Sequence, residues 1–237
     1  MNDTTATGNR IKEVFDRIDQ AASQSGRTRD DITVVAVGKT HPAEDFFPVI
    51  EAGIRHFGES RIQEAEEKKP QLSEYDIKWH MIGHLQRNKA KNAIRMFQQL
   101  HSLDSKRLAR RLQKQLAKEE ISDFTAFIQV NTSGEESKYG IDPDRLAPLM
   151  DLIEEECPRL RVNGLMTMAP LTEEESRLRK SFSALRELAE KTDTTNYGSI
   201  EFGALSMGMT NDYEIAIQEG ATHVRIGRAI FGERLSR

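Results

Sequence analysis

The chain has 237 residues, 37% of them hydrophobic and 30% charged, and a formal net charge of −4. That size suits one large core rather than two, and the balance gives no global pull toward nucleic acid or anionic lipid. With no stretch approaching the ~20 apolar residues of a membrane span, no signal-like N-terminus and a lone Cys157 that leaves no intrachain disulfide or cysteine-based zinc site, a cytoplasmic protein with one domain over residues 1–237 is expected.

Residues 8–25 space Ile11, Val14, Phe15 and Ile18 at i, i+3, i+4 and i+7, which predicts an amphipathic helix laid against the domain. Residues 32–40 are β-branched and small apolar residues that end in Gly38-Lys39-Thr40, a buried parallel strand whose last residues leave the core. Gly38 would let another molecule or backbone come close there. Pro42 then opens a helix with Phe46, Phe47, Val49 and Ile50 as its packing face, and Gly53 closes it. The unit recurs, with strands expected over residues 55–59, 77–83, 99–104, 124–131, 160–168, 199–206 and 223–227, and a helical stretch after each of the first six of these. Eight alternations without a linker or repeat predict a closed (β/α)8 barrel, with an open doubly wound sheet as the alternative.

In such folds ligands bind at the C-terminal ends of the strands, where Lys39 emerges. A partly desolvated lysine condenses with carbonyls; equally, Lys39 could simply extend to solvent. After the seventh strand comes Ser206-Met207-Gly208-Met209-Thr210-Asn211-Asp212, and the eighth ends in Arg225-Ile226-Gly227-Arg228. These two turns occupy the usual phosphate cradle of the barrel: glycines expose backbone N–H groups, Ser206 and Thr210 add hydroxyls, and Arg225 or Arg228 offers a guanidinium. Ordinary helix capping by Thr210, Asn211 or Asp212 is the plainer reading. A mouth lysine with a phosphate cradle suits a phosphorylated aldehyde, either pyridoxal 5′-phosphate or a phosphosugar substrate of a lysine aldolase.

Three other features stay open. His80 and His84 lack a third ligand in register for zinc, and His80 either faces the mouth or is a hydrogen-bonded interior residue. The polar cluster over residues 131–138 places Lys138 as a second amine near the ligand or as a solvated loop charge. Between Arg87 and Lys118 ten basic residues stand against one acidic residue, Asp104; without interleaved aromatics this reads as a solvated face, not a nucleic-acid patch.

Taken in order, Ala36-Val37-Gly38-Lys39-Thr40, Phe57-Gly58-Glu59-Ser60, Trp79-His80-Met81-Ile82-Gly83, Gly164-Leu165-Met166-Thr167-Met168, Leu205-Ser206-Met207-Gly208-Met209 and Val224-Arg225-Ile226-Gly227 resemble the YggS/PROSC family of pyridoxal-phosphate homeostasis proteins across nearly the whole chain. The resemblance implies an alanine-racemase-type barrel without that enzyme's C-terminal β-domain. It implies that Lys39 holds pyridoxal phosphate as a Schiff base, that Ser206, Gly227 and the Arg228 backbone bind the phosphate, and that Arg225 lies near the pyridine nitrogen, where a cation weakens the electron sink. It further implies a carrier of cofactor to apo-enzymes, expected to be monomeric, rather than a catalyst; a racemase-like or decarboxylating enzyme is the alternative. Ser60, His84 and Arg228 depart from the family's usual asparagine, proline and threonine.

Overall fold

Eight parallel strands form, and the sheet closes on itself. In this computed structural model, which describes residues 4–135 and 138–233, the strands are β1 (Thr33–Val37), β2 (His56–Glu59), β3 (Lys78–Met81), β4 (Gln99–Leu103), β5 (Phe124–Gln129), β6 (Leu160–Met166), β7 (Ile200–Met209) and β8 (His223–Ile226). They hydrogen-bond in sequence order, and β1 returns onto β8 with Val34 opposite Val224 and Ala36 opposite Ile226. That last pairing excludes the open sheet. The helices are α1 (Thr4–Gln24), α2 (Phe47–Glu51), α3 (Ile62–Lys68), α4 (Ala90–Met96), α5 (Lys106–Lys118), α6 (Leu146–Glu156), α7 (Glu175–Lys191), α8 (Tyr213–Gln218) and α9 (Arg228–Phe231).

Side chains alternate across each strand, so one set faces the helices and the other the barrel axis. The outward set is apolar: Trp79 and Met81 of β3, Leu100 of β4, Val224 and Ile226 of β8 join the buried shell that Leu108, Leu112 and Leu116 of α5 complete from outside. Burying a side chain of this size contributes about 1.5–3 kcal/mol, and that shell holds the barrel shut. The expected N-terminal helix adds Ile11, Val14 and Ile18 to it, lying against α2, α8 and α9. The inward set differs. Val35, Phe127 and Met166 are buried apart from that shell, and among them stand His80, His101, Ser206 and Arg225, all buried.

Three departures from the sequence expectation bear on the site. The helix after β1 is split into a 3-10 turn (Ala43–Phe46) and the short α2, because Pro48 cannot donate to a continuous ladder. β7 runs on to Met209, so Ser206 lies within a strand and not in a turn. It does so through a bulge in which Ser206 pairs with His223 but Met209 with Arg225, and Gly208 supplies the positive φ of 90° at the kink. Finally, a short helix, α9, follows directly on Gly227. Glu136 and Ser137 of the polar cluster lie outside the described residues.

Candidate functional site

Lys39 stands two residues beyond Val37, in the turn that follows β1 at the C-terminal end of the barrel. The inward direction of Val35 is fixed by Gly58, where a Cβ would lie 3.0 Å from the valine's Cγ1. Lys39 is half-exposed and makes no hydrogen bond or ion pair with the described residues. Thr40 next to it has φ 68°, a left-handed conformation that costs a β-branched residue about 1–3 kcal/mol. Two neighbours hold the chain in that shape. The Thr40 amide donates to Glu64 Oε2 at 3.0 Å, and Lys68 Nζ donates to the Gly38 carbonyl at 2.8 Å. Lys68 also donates to Glu59 Oε1 at 2.6 Å, and both side chains are buried. Burial pushes the Glu59 carboxyl up to about 8 against the pull of Lys68, and its Oε2 has no hydrogen-bond partner among the described residues. Gly38 has a different purpose from the one its sequence suggested: the ring of Phe46 fills the space, where any Cβ would overlap it.

The lysine turn and the glycine turns meet because β1 and β8 are neighbours. A Cβ on Gly227 would sit 3.3 Å from the Val37 carbonyl, which leaves the β8 turn directly beside the exit of β1. The Arg228 guanidinium donates to Asn211 Oδ1 at 2.9 Å and thereby ties the β8 turn to the β7 turn. Thr210 is half-exposed in that second turn and its hydroxyl has no partner among the described residues. The first amides of α9, at Arg228 and Ala229, have no intrahelical acceptor. Gly208 faces away from these groups, against Ala216 and Tyr213 of α8.

Arg225 lies under the turns. It is buried, donates to Ser206 Oγ at 2.7 Å and to the Thr167 carbonyl at 2.9 Å, and forms no salt bridge among the described residues. A guanidinium has five N–H donors, so three have no partner among the described residues. Burial draws Arg225 down to about 10, opposed by Asp212, and it stays a cation at neutral pH. Lys138 reaches the same mouth, its Nζ donating to the Ala169 carbonyl at 2.5 Å.

Two of the expected ligand residues lie deeper than the mouth. Ser206 is fully buried, its hydroxyl shared between Arg225 and His101, and His80 uses both ring nitrogens, on His56 and His101, each at 2.9 Å. Thus Lys39, Thr210, Gly227 and Arg228 come together at the mouth, with Arg225 beneath them. Sequence reasoning missed Glu64 and Lys68, which grip the lysine turn; a buried lysine on a charged helix has no local signature. The basic stretch folds into a cleft of about 990 Å³ at the rim outside β3 and β4, lined by Arg87, Arg107, Arg111 and Lys114 among others. Arg110 there is paired with Glu156, and Arg95 and Lys91 of α4 with Glu119. His84 Nδ1 donates to Asp104 Oδ2 at 3.1 Å, and the ring stacks on Tyr139.

Known proteins are similar to this chain in sequence and fold. Residues 10–235 match the family described as alanine racemase, N-terminal domain. A pyridoxal phosphate homeostasis protein of Aquifex aeolicus is 39% identical over 95% of this chain and 97% of its own length. One of Escherichia coli K12 is also 39% identical, over 99% of this chain and 98% of its own. Among solved structures, PipY of Synechococcus elongatus with PLP bound superposes with a TM-score of 0.78 at 33% identity, covering 91% of this chain and all of PipY. With the fold, the order of motifs and full-length relatives in agreement, the chain belongs to the alanine racemase N-terminal domain family and, within it, to the pyridoxal phosphate homeostasis proteins.

Proposed function

We propose that the chain binds pyridoxal 5′-phosphate in the mouth of the barrel, with Lys39 as covalent anchor, and serves the intracellular supply of that cofactor without turning over a substrate. The carrying observation is the meeting of β1 and β8: an unpaired lysine amine emerges beside a glycine turn with free amides, above a buried arginine with three unspent donors. When bound, the cofactor supplies an aldehyde for the amine and a phosphate for the turns. Thr210, Gly227 and the backbone of Arg228 would bind the phosphate, and Arg225 would donate to an acceptor on the ring. Ser206 and His80 act from below by fixing Arg225. The turns suit the group because the Thr210 hydroxyl and the first amides of α9 have no partner among the described residues.

Restraint from catalysis has its own support. A racemase-type reaction needs a second proton-transfer group opposite the lysine. Of the two candidates, Lys138 donates to the Ala169 carbonyl and His80 is locked inside the barrel. A half-exposed anchor also leaves the bound aldehyde open to exchange with an apo-enzyme, which this reading makes the recipient, with the chain acting as a monomer. The test is an absorbance titration with pyridoxal phosphate, wild type beside Lys39→Ala, followed by borohydride and by assay of amino-acid racemisation. Colour that borohydride bleaches in wild type alone, without turnover, supports the proposal. A protein that stays colourless overturns it, and turnover would favour the racemase-like reading.

A further inference from the structure

The barrel interior carries a chain of groups that ligand binding leaves unexplained. His56 Nδ1 lies 2.9 Å from His80 Nε2, His80 Nδ1 lies 2.9 Å from His101 Nε2, and His101 Nδ1 lies 2.8 Å from Ser206 Oγ, which accepts from Arg225 at 2.7 Å. The strand register makes this chain climb. His80 stands opposite Gly58, two residues above His56, and His101 stands two residues above Gln99, which is opposite His80. It therefore runs from the first residue of β2, at the barrel floor, diagonally to Arg225 under the mouth.

Its direction follows from one fixed donor. Arginine only donates, so Ser206 Oγ accepts from it, and the serine proton is free for His101 Nδ1. His101 then carries its proton on Nε2 and donates to His80 Nδ1; His80 in turn donates from Nε2 to His56 Nδ1, and His56 presents Nε2–H at the floor. Every link is satisfied in this sense. The reverse sense leaves the serine proton without an acceptor in the chain, a cost of about 1–3 kcal/mol for a buried group.

We propose that His56, His80 and His101 are positioning residues for Arg225: they hold the Ser206 hydroxyl as a donor pointing down the chain, and uptake of one proton, which leaves the charge on His56 at the barrel floor, turns it. One proton from solvent is enough. Each proton moves one link toward the floor, from Ser206 Oγ to His101 Nδ1, from His101 Nε2 to His80 Nδ1 and from His80 Nε2 to His56 Nδ1, so that His56 carries both N–H groups. The solvent proton replaces the serine's and points out of the chain, and Ser206 then accepts from both His101 and Arg225. Burial and the charged neighbours keep all three rings neutral at neutral pH. Burial and Lys78 on β3 hold His56 below the usual histidine range. His80 is held well below it by burial, then by His56, His223 on β8 and Lys78, and His101 by burial, then by His80, His223, Arg225 and His56. His223 itself is bonded to Thr222 and lies outside the chain, 6.5 and 6.1 Å from the His80 and His101 rings.

The test is long-range nitrogen–proton NMR of histidine-labelled protein without added ligand, so that its outcome is independent of the cofactor reading. At neutral pH His56, His80 and His101 all carry the proton on Nε2, and acidification through the protonation of His56 moves His80 and His101 together to the Nδ1 form. In His56→Phe, which removes the floor group and leaves Arg225 and Ser206 in place, His101 keeps Nε2–H at the same acid pH, whereas His56→Gln retains the neutral pattern. Far-UV circular dichroism verifies that each variant is folded; if His56→Phe is not, the wild-type titration alone decides. An Nδ1 proton on His101 at neutral pH, or tautomers that change independently of His56, overturns the proposal.

Discussion

The two faces of the same strands do opposite jobs. In β3, Trp79 and Met81 point out into the apolar shell while His80 points in; in β8, Val224 and Ile226 point out while Arg225 points in. A one-residue step along the chain separates cohesion from chemistry. The interior of such a barrel is commonly filled with branched aliphatic residues. Here part of that filling has been exchanged for hydrogen-bonded polar groups, and the outer shell has to carry the stability they do not supply.

This contrast can be broken first on the inner side. Lys39→Ala should abolish borohydride-fixable binding of pyridoxal phosphate, yet leave the denaturation midpoint nearly unmoved, because the half-exposed side chain has no partner to lose. The reverse pattern is expected outside. Phe46 packs on Phe57 at 4.8 Å and on Phe231 at 5.4 Å, and Phe46→Ala should cost about 3–5 kcal/mol in urea unfolding. Binding should then weaken only through the fold, so a folded Phe46→Ala protein that has lost all affinity would blur the separation.

Lys68 tests the seam between the faces. Lys68→Met strands the buried Glu59 and frees the Gly38 carbonyl, and should cost about 3–5 kcal/mol at alkaline pH. The loss should shrink as pH falls, since Glu59 then takes a proton and no longer buries a charge. Equilibrium unfolding of wild type against pH gives a subtler check. The histidines at 56, 80, 101 and 223 are depressed in the fold, His223 to about 4, so their stability is present above the unfolded value of 6.5 and is lost as pH falls below it. Glu59, raised to about 8, and Asp212, also raised by burial, act the other way and lose stability as pH rises above their ordinary values. Four histidines outnumber two carboxyls, so stability should peak near pH 6.5 and fall more steeply on the acid side. A monotonic rise to pH 8 would contradict this. The smallest effect should come from Thr210→Val, which removes one hydroxyl from the mouth and should raise the dissociation constant about tenfold with stability unchanged.

What the sequence made legible was the outer face. Its β-branched and aromatic residues recur in every strand except β4, where Leu100 takes their place, the glycines punctuate the units, and Lys39 is conspicuous at the end of an apolar run. The inner face was less readable for physical reasons. Strands as short as β2 and β3 offer one or two inward positions, too few to establish a pattern, so His56 and His80 read as isolated histidines and not as links of one chain. Gly208 read as a turn although it marks a bulge, which put Ser206 in the mouth instead of beneath it. The grip of Lys68 on Gly38 spans thirty residues of sequence, and nothing local in a charged helix announces it.

The central claim is that the amine at the end of β1 is the anchor. Its most direct test is to add pyridoxal phosphate, reduce with borohydride, digest, and locate the pyridoxyl mass among the peptides. A single modified residue, Lys39, is expected at close to one equivalent, with Lys138 unmodified. A label on Lys138, or one spread over surface lysines, would contradict it.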